Sequence, residues 1–241
     1  MIGPKGELMD VSLWLDEHHL RQLGRCFLIV GIPVIVAMQI LGPSRLPKGK
    51  LPRGFRAPML AIELPKSSQE VETILQVSGG ARRMKNGLLL DFGVILLYAS
   101  VLAVLGALLY QSPVPVAGRI AGAAAALLGI TAGLLDVVEN IRIWKVLDGA
   151  RDPATLHTLT QVSLWKWGLL AVAFLLLAGL FLVDAPMARV LAGLCLVTGV
   201  VGLIGLKDNP RLEWVTVLIA VTLLVTLIVF AFWPESLRPT R

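Results

Sequence analysis

From Gly87 to Trp233 the sequence is a succession of apolar runs, each about 20 residues long, broken by short turns that hold Pro, Asp or Gly. A run of this kind has no polar face to turn toward water. In a bilayer every backbone N–H and C=O must be satisfied within its own segment, which leaves the α-helix as the local structure. The composition agrees. The 241-residue chain is 56% hydrophobic and 16% charged, with a mean hydropathy of +0.79, where a soluble domain carries about 25% charged residues. The net charge of +6 therefore does not point to nucleic acid. Basic residues beside apolar spans act as orientation signals and as contacts for anionic headgroups.

Residues 1–25 precede the first run. Asp10, Asp16 and Glu17 lie within them, and no small-residue cleavage site follows, so a secretory signal is not expected. Residues 9–24 read as a short amphipathic helix with Trp14 as interface anchor. His18 and His19 are adjacent, so on a helix they diverge by about 100° and read as a solvated pair, not a metal site. The first apolar run, 26–42, is short for a span and contains Gly31 and Pro33; crossing and re-entry both stay open. Residues 43–85 form the one sizeable extramembrane segment. Pro43–Gly54 reads as loop, and Pro58–Pro65 as strand-like or membrane-lying. Ser67-Ser-Gln-Glu70 is a capping box that predicts a helix from Ser68 to about Val77.

The bundle region, 86–233, begins with a span from Gly87 to Tyr110. A long helix follows from Val116 to Leu147, closed by Gly149. Asp152-Pro153 restarts helix with an N-cap and a first-position proline, and that helix runs through Trp165-Lys-Trp167 to Val183. Met187–Leu206 and Trp214–Trp233 are the last two spans, and 234–241 is a tail. If all six runs cross, 15 of the 22 Lys and Arg fall on the side of the 43–85 segment and 7 on the other; if the first is re-entrant, the split is 18 to 4. Both counts place that segment in the cytoplasm. The expected fold is an all-α integral membrane protein, a bundle of five or six transmembrane helices with a small cytoplasmic segment.

Two adjacent spans carry polar residues near the same end. Asp91 lies six residues after Lys85, and Glu139 six before Lys145, about 9 Å in each case. Asp136, Glu139 and Asn140 share one helical face through i, i+3 and i, i+4 spacing. If the two helices are antiparallel neighbours, Asp91, Asp136, Glu139 and Asn140 meet at one depth, with Tyr98 on the same face as Asp91. Phe92–Tyr110 and Val116–Leu135 already supply nearly a full span each, so these acids fall at the headgroup boundary, where an intramembrane charge is less telling. Three readings follow. In the structural one, Glu139 pairs with Arg142, and Asp136 or Asn140 hydrogen-bonds to the Asp91 helix. In the second, the cluster binds a cation, a proton or a lipid headgroup, as in a transporter. In the third, three carboxylates and an amide hold a divalent metal in a lipid-modifying enzyme. No His, phosphate loop or nucleophile pattern supports catalysis, no catalytic residue is assigned, and no cofactor is implied.

Small residues form two stripes: Gly118, Gly122, Ala126, Gly129 and Gly133 on one helix, and Ala188, Ala192, Cys195, Gly199 and Gly202 on another. Such stripes let membrane helices approach closely. They serve packing within the bundle, or association with a second copy or another membrane protein, as in an accessory subunit. Cys26 and Cys195 read as buried thiols, without a disulfide or zinc site. Arg119 reads as a snorkelling side chain and His157 as an exposed interfacial residue. Leu90-Asp-Phe…Tyr98 and Leu134-Leu-Asp-Val-Val-Glu-Asn140 resemble a pattern found in uncharacterised bacterial multi-spanning membrane proteins. The resemblance covers two helices. It implies an inner-membrane, multi-pass location and no activity.

Overall fold

The computed structural model describes residues 16–237. Among them there is no strand. Eight α-helices follow in order: α1 (Glu17–Leu41), α2 (Pro58–Glu63), α3 (Ser68–Ser78), α4 (Ala81–Gln111), α5 (Val116–Leu147), α6 (Pro153–Leu177), α7 (Pro186–Lys207) and α8 (Leu212–Phe232). Six of them (α1, α4, α5, α6 with its 3-10 extension to Leu182, α7 and α8) are long and apolar enough to cross a membrane. The chain is an all-α membrane bundle.

The first apolar run does not stand alone. It continues a helix that begins at Glu17, capped by the Asp16 side chain on the amide of His19. The expected break between an amphipathic helix and a first run is therefore absent. Residues 9–15 of that expected helix, with Trp14, lie outside the described residues, as does the tail from 238. His19 is held by Asp16 at 2.8 Å and His18 by Gln22 at 2.8 Å, both exposed. Pro33 sits inside α1, where it removes one backbone hydrogen bond without ending the helix.

The bundle has two ends. Arg21 and Glu235 form an ion pair at 3.2 Å, so both ends of the described chain share the terminal end. The 43–80 segment covers the opposite end. α4 and α5 run antiparallel and pack backbone to backbone. A methyl group on Gly122 would stand 2.5 Å from the carbonyl oxygen of Gly106 and 2.7 Å from the amide nitrogen of Tyr110. Further along the seam Gly129 meets Leu102, and Gly133 meets Ala99 and Ile95; Gly118 meets Val114 and Leu182. On α7, Gly199 meets Leu175 and Ala171, and Gly202 meets Ala171. Ala188, Ala192 and Cys195 are buried. Both stripes are thus taken up inside the chain. Cys26, in contrast to its expected burial, is exposed on α1.

α1 crosses the face of the bundle obliquely. Near the terminal end it touches α8: a methyl on Gly24 would meet the Ala231 amide nitrogen at 2.5 Å. Toward the segment end it leaves α8 for α4, with Gly31 against Leu97, Val34 against Gly93 and Gly42 against Gly87. Arg83 fixes that junction by donating to the Gly42 carbonyl at 2.8 Å. The divergence opens a cleft between α1 and α8 on the half of the bundle nearest the segment.

The segment itself is docked, not loose. Pro58–Glu63, expected as strand-like or membrane-lying, is a short helix with Pro58 at its first turn and Pro58, Leu60, Ala61 and Ile62 buried. Glu213, at the start of α8, accepts hydrogen bonds from the amides of Arg56 and Ala57, groups that a helix start leaves unpaired. At the other end of α2, the Ser163 hydroxyl of α6 lies 2.9 Å from the Glu63 carbonyl. α3 begins at Ser67, whose hydroxyl accepts from the Glu70 amide, and ends at Gly79 in the left-handed conformation. α6 starts at the Asp152 cap. The Thr155 hydroxyl and amide both donate to Asp152 and hold its carboxyl below the usual value of 3.8.

Candidate functional site

α2, α4, α5 and α6 converge on one buried polar network. Its centre is Lys166, on the inward face of α6. The ammonium lies 3.1 Å from Asp136 Oδ1 and 3.3 Å from Glu63 Oε2, and it pairs with Glu139 Oε2. Its side chain is 4% exposed and that of Glu139 is 0% exposed. A charge so far from water persists only when paired and hydrogen-bonded, and this one has three carboxylate neighbours. The remaining acceptors are used in turn. Tyr98 donates to Asp136 Oδ2 at 2.9 Å. Ser163 donates to Glu139 Oε1. The Trp167 indole donates to Glu63 Oε2 at 3.0 Å, and the Lys166 ammonium stands 4.7 Å from the centre of the Trp167 ring. Asn140 donates to Asp91 Oδ2 at 2.9 Å.

The structure therefore brings Asp91, Asp136, Glu139, Asn140 and Tyr98 into one region through the antiparallel α4–α5 seam. It also overturns one expected pairing. Glu139 turns to Lys166 and Ser163, and Arg142 Nε is buried without a hydrogen-bond partner. Four residues that the sequence reading did not single out complete the network: Glu63, Ser163, Lys166 and Trp167. For Lys166 a signal exists, since it lies 13 residues inside a helix that holds no other Lys, Arg, Asp or Glu. For Glu63 there is none, because its partners lie about 100 positions away in the chain.

Among the described residues no group of three or more His, Cys, Asp or Glu is placed to hold a metal ion. The physical reason is that the Lys166 ammonium occupies the point on which the carboxylates converge.

The network forms the floor of a cavity of about 570 Å³, within the usual range for small-molecule sites, about 300–1,000 Å³. Glu63, Asp91, Tyr98, Asp136, Lys166 and Trp167 line its polar end. Its walls are apolar and come from α1, α4, α6 and α8. Depth follows from helix geometry. Asp136 lies 20 residues from Val116 at the terminal end of α5, or about 30 Å, the thickness of a bilayer's hydrocarbon core. Leu28, also in the wall, lies three residues past Gly31, which packs against Leu97, itself six residues past Asp91, or about 13 Å from the floor toward the terminal end. The cavity thus runs from a polar floor at the membrane boundary to an apolar interior near mid-bilayer. Its side opening is the cleft between α1 and α8, where Ile32, Ile35 and Leu224 both line the cavity and are exposed on the outer surface. Comparison with protein-family models, curated proteins and solved structures finds no match for this chain.

Proposed function

We propose that this multi-pass membrane protein binds an amphiphile of the inner leaflet. The headgroup sits on the polar floor and the chain lies between α1, α4 and α8. The observation that carries this reading is the polarity gradient of the cavity. It matches the gradient of a single leaflet, charged at the boundary and apolar toward the midplane, and it is reached sideways from the bilayer. A ligand that enters from water needs no such cleft. The surplus of Lys and Arg on the side of the 43–80 segment supports a cytoplasmic floor, and hence an orientation for the cell inner membrane. Transfer of the amphiphile across or out of the leaflet is one use of such a site.

The test is retention of lipid through purification in a mild detergent, read by native mass spectrometry. Ala220 lines the cavity from α8, and Ala220→Trp fills that space. The wild-type chain retains a bound amphiphile and the variant loses it, with the unfolding temperature unchanged. Equal retention by both proteins, or none by either, removes the proposal.

A further inference from the structure

We infer that the amphiphile carries a cationic, ammonium-type headgroup and that Asp91 is its ion-pair partner. This rests on the amphiphile reading above and adds the chemical class of the head. The argument starts from how charge is shared on the cavity floor. Glu63, Asp136 and Glu139 all take their positive partner from Lys166. Asp91 does not. Among the described residues its one donor is the neutral amide of Asn140, to Oδ2, while Asp91 lines the cavity and its Oδ1 takes no hydrogen bond from them. The only other cation in the lining, Arg45, is committed at the mouth, where it donates to the Glu213 carbonyl at 3.4 Å and stands 3.9 Å from the Glu213 carboxylate.

The site thus holds more acid than base, and the one carboxylate without a cationic partner faces the space where a ligand would lie. An anionic head would meet Asp91 and Glu63 with like charge. A neutral hydroxyl would gain from Asp91 only the weaker hydrogen bond of an uncharged donor. An ammonium would donate a charge-assisted hydrogen bond to Asp91, beside Tyr98 and Trp167, which also line the floor. The head then lies at the boundary and its alkyl chain runs along the wall toward Leu28 and Leu227, as the depth of the cavity requires.

The test uses four probes that share one tail: octylammonium, octyltrimethylammonium, octanol and octanoate. Each is titrated calorimetrically into the full chain in dodecyl maltoside, and binding to Ala220→Trp is subtracted as the micellar background. Octylammonium binds at least about ten-fold more tightly than octanol, as a charge-assisted contact implies. That preference disappears in Asp91→Asn, which keeps an acceptor for Asn140, and persists in Asp91→Glu. Equal binding of all four heads, or preference for octanoate, overturns the inference and leaves amphiphile binding standing. A cationic preference that survives Asp91→Asn overturns the role of Asp91. If no probe exceeds the background, the amphiphile reading itself fails. Should Asp91→Asn not fold, the ranking of heads in the wild-type chain decides, and a ranking without cationic preference overturns the inference.

Discussion

Lys166 of α6 is the shared cation of three carboxylates that come from two other elements, Glu63 of α2 and Asp136 and Glu139 of α5. Removing it leaves acid groups buried with no cation near them. Lys166→Met is therefore expected to destabilise the protein by about 3–5 kcal/mol, the range for breaking a buried ion pair from one side. Chemical unfolding in detergent, followed by tryptophan fluorescence, measures it. Combining Lys166→Met with Glu139→Gln is expected to recover part of that loss, because the second change removes one of the stranded charges. A double mutant as unstable as the sum of the two singles would mean that the charges do not interact. The residues of this network differ in how far the sequence disclosed them. Asp136, Glu139 and Asn140 share a face by spacing alone, and Asp91 and Tyr98 do so on the neighbouring helix. Lys166 sits between two tryptophans and looks like part of an interfacial belt, yet its neighbours Trp165 and Trp167 diverge, one 65% exposed and the other 6% exposed. Helical phase separates them, and phase is set by tertiary packing that the apolar run after Trp167 does not announce.

At the scale of elements the α4–α5 seam decides where the site lies. Asp91 meets Asn140 only because Gly122 lets the two backbones approach at Gly106, and the register is then carried along by Leu102 against Gly129 and Ala99 against Gly133. Gly122→Val is expected to force the helices apart and to destabilise the protein by roughly 2 kcal/mol, the middle of the range for overpacking. Gly168→Ala is the matched control. A methyl there meets nothing closer than Leu206 Cδ1 at 3.9 Å, so the substitution is expected to be neutral or to stabilise by up to about 1 kcal/mol through helix propensity. Similar losses in both variants would show that the seam is not tight. Helix ends were legible where a cap marks them, as at Ser67, Asp152 and Gly149. α2 was not. Six residues are too few for a period to show, and its flanking prolines fit a strand edge or a loop as well as a helix start. Its amide caps come from Glu213, more than 150 positions away.

At the scale of the molecule the number of crossings fixes what the site can face. The polar floor lies under the 43–80 segment, and the ends of the described chain lie at the other end of the bundle, joined by Arg21 and Glu235. With α1 as a sixth span the described chain starts and finishes on one side of the membrane, and the segment occupies the other. The run from 26 to 42 left this open in the sequence, because its length and its proline suited re-entry equally well. The helix starts nine residues earlier, at Glu17, which gives 25 residues and a length of about 37 Å, enough to cross. Single cysteines at Lys50, Gln22 and Ser236, in a chain with Cys26 and Cys195 replaced by alanine, turn this into a measurement with a membrane-impermeant thiol reagent on sealed inverted vesicles and on intact cells. Lys50→Cys is expected to label only in inverted vesicles, Gln22→Cys and Ser236→Cys only from outside. If α1 turns back within the membrane, Gln22→Cys and Lys50→Cys label from the same side. The cleft between α1 and α8 would then no longer be bounded by two crossing helices, and a lateral path from the leaflet to Asp91 would have no walls.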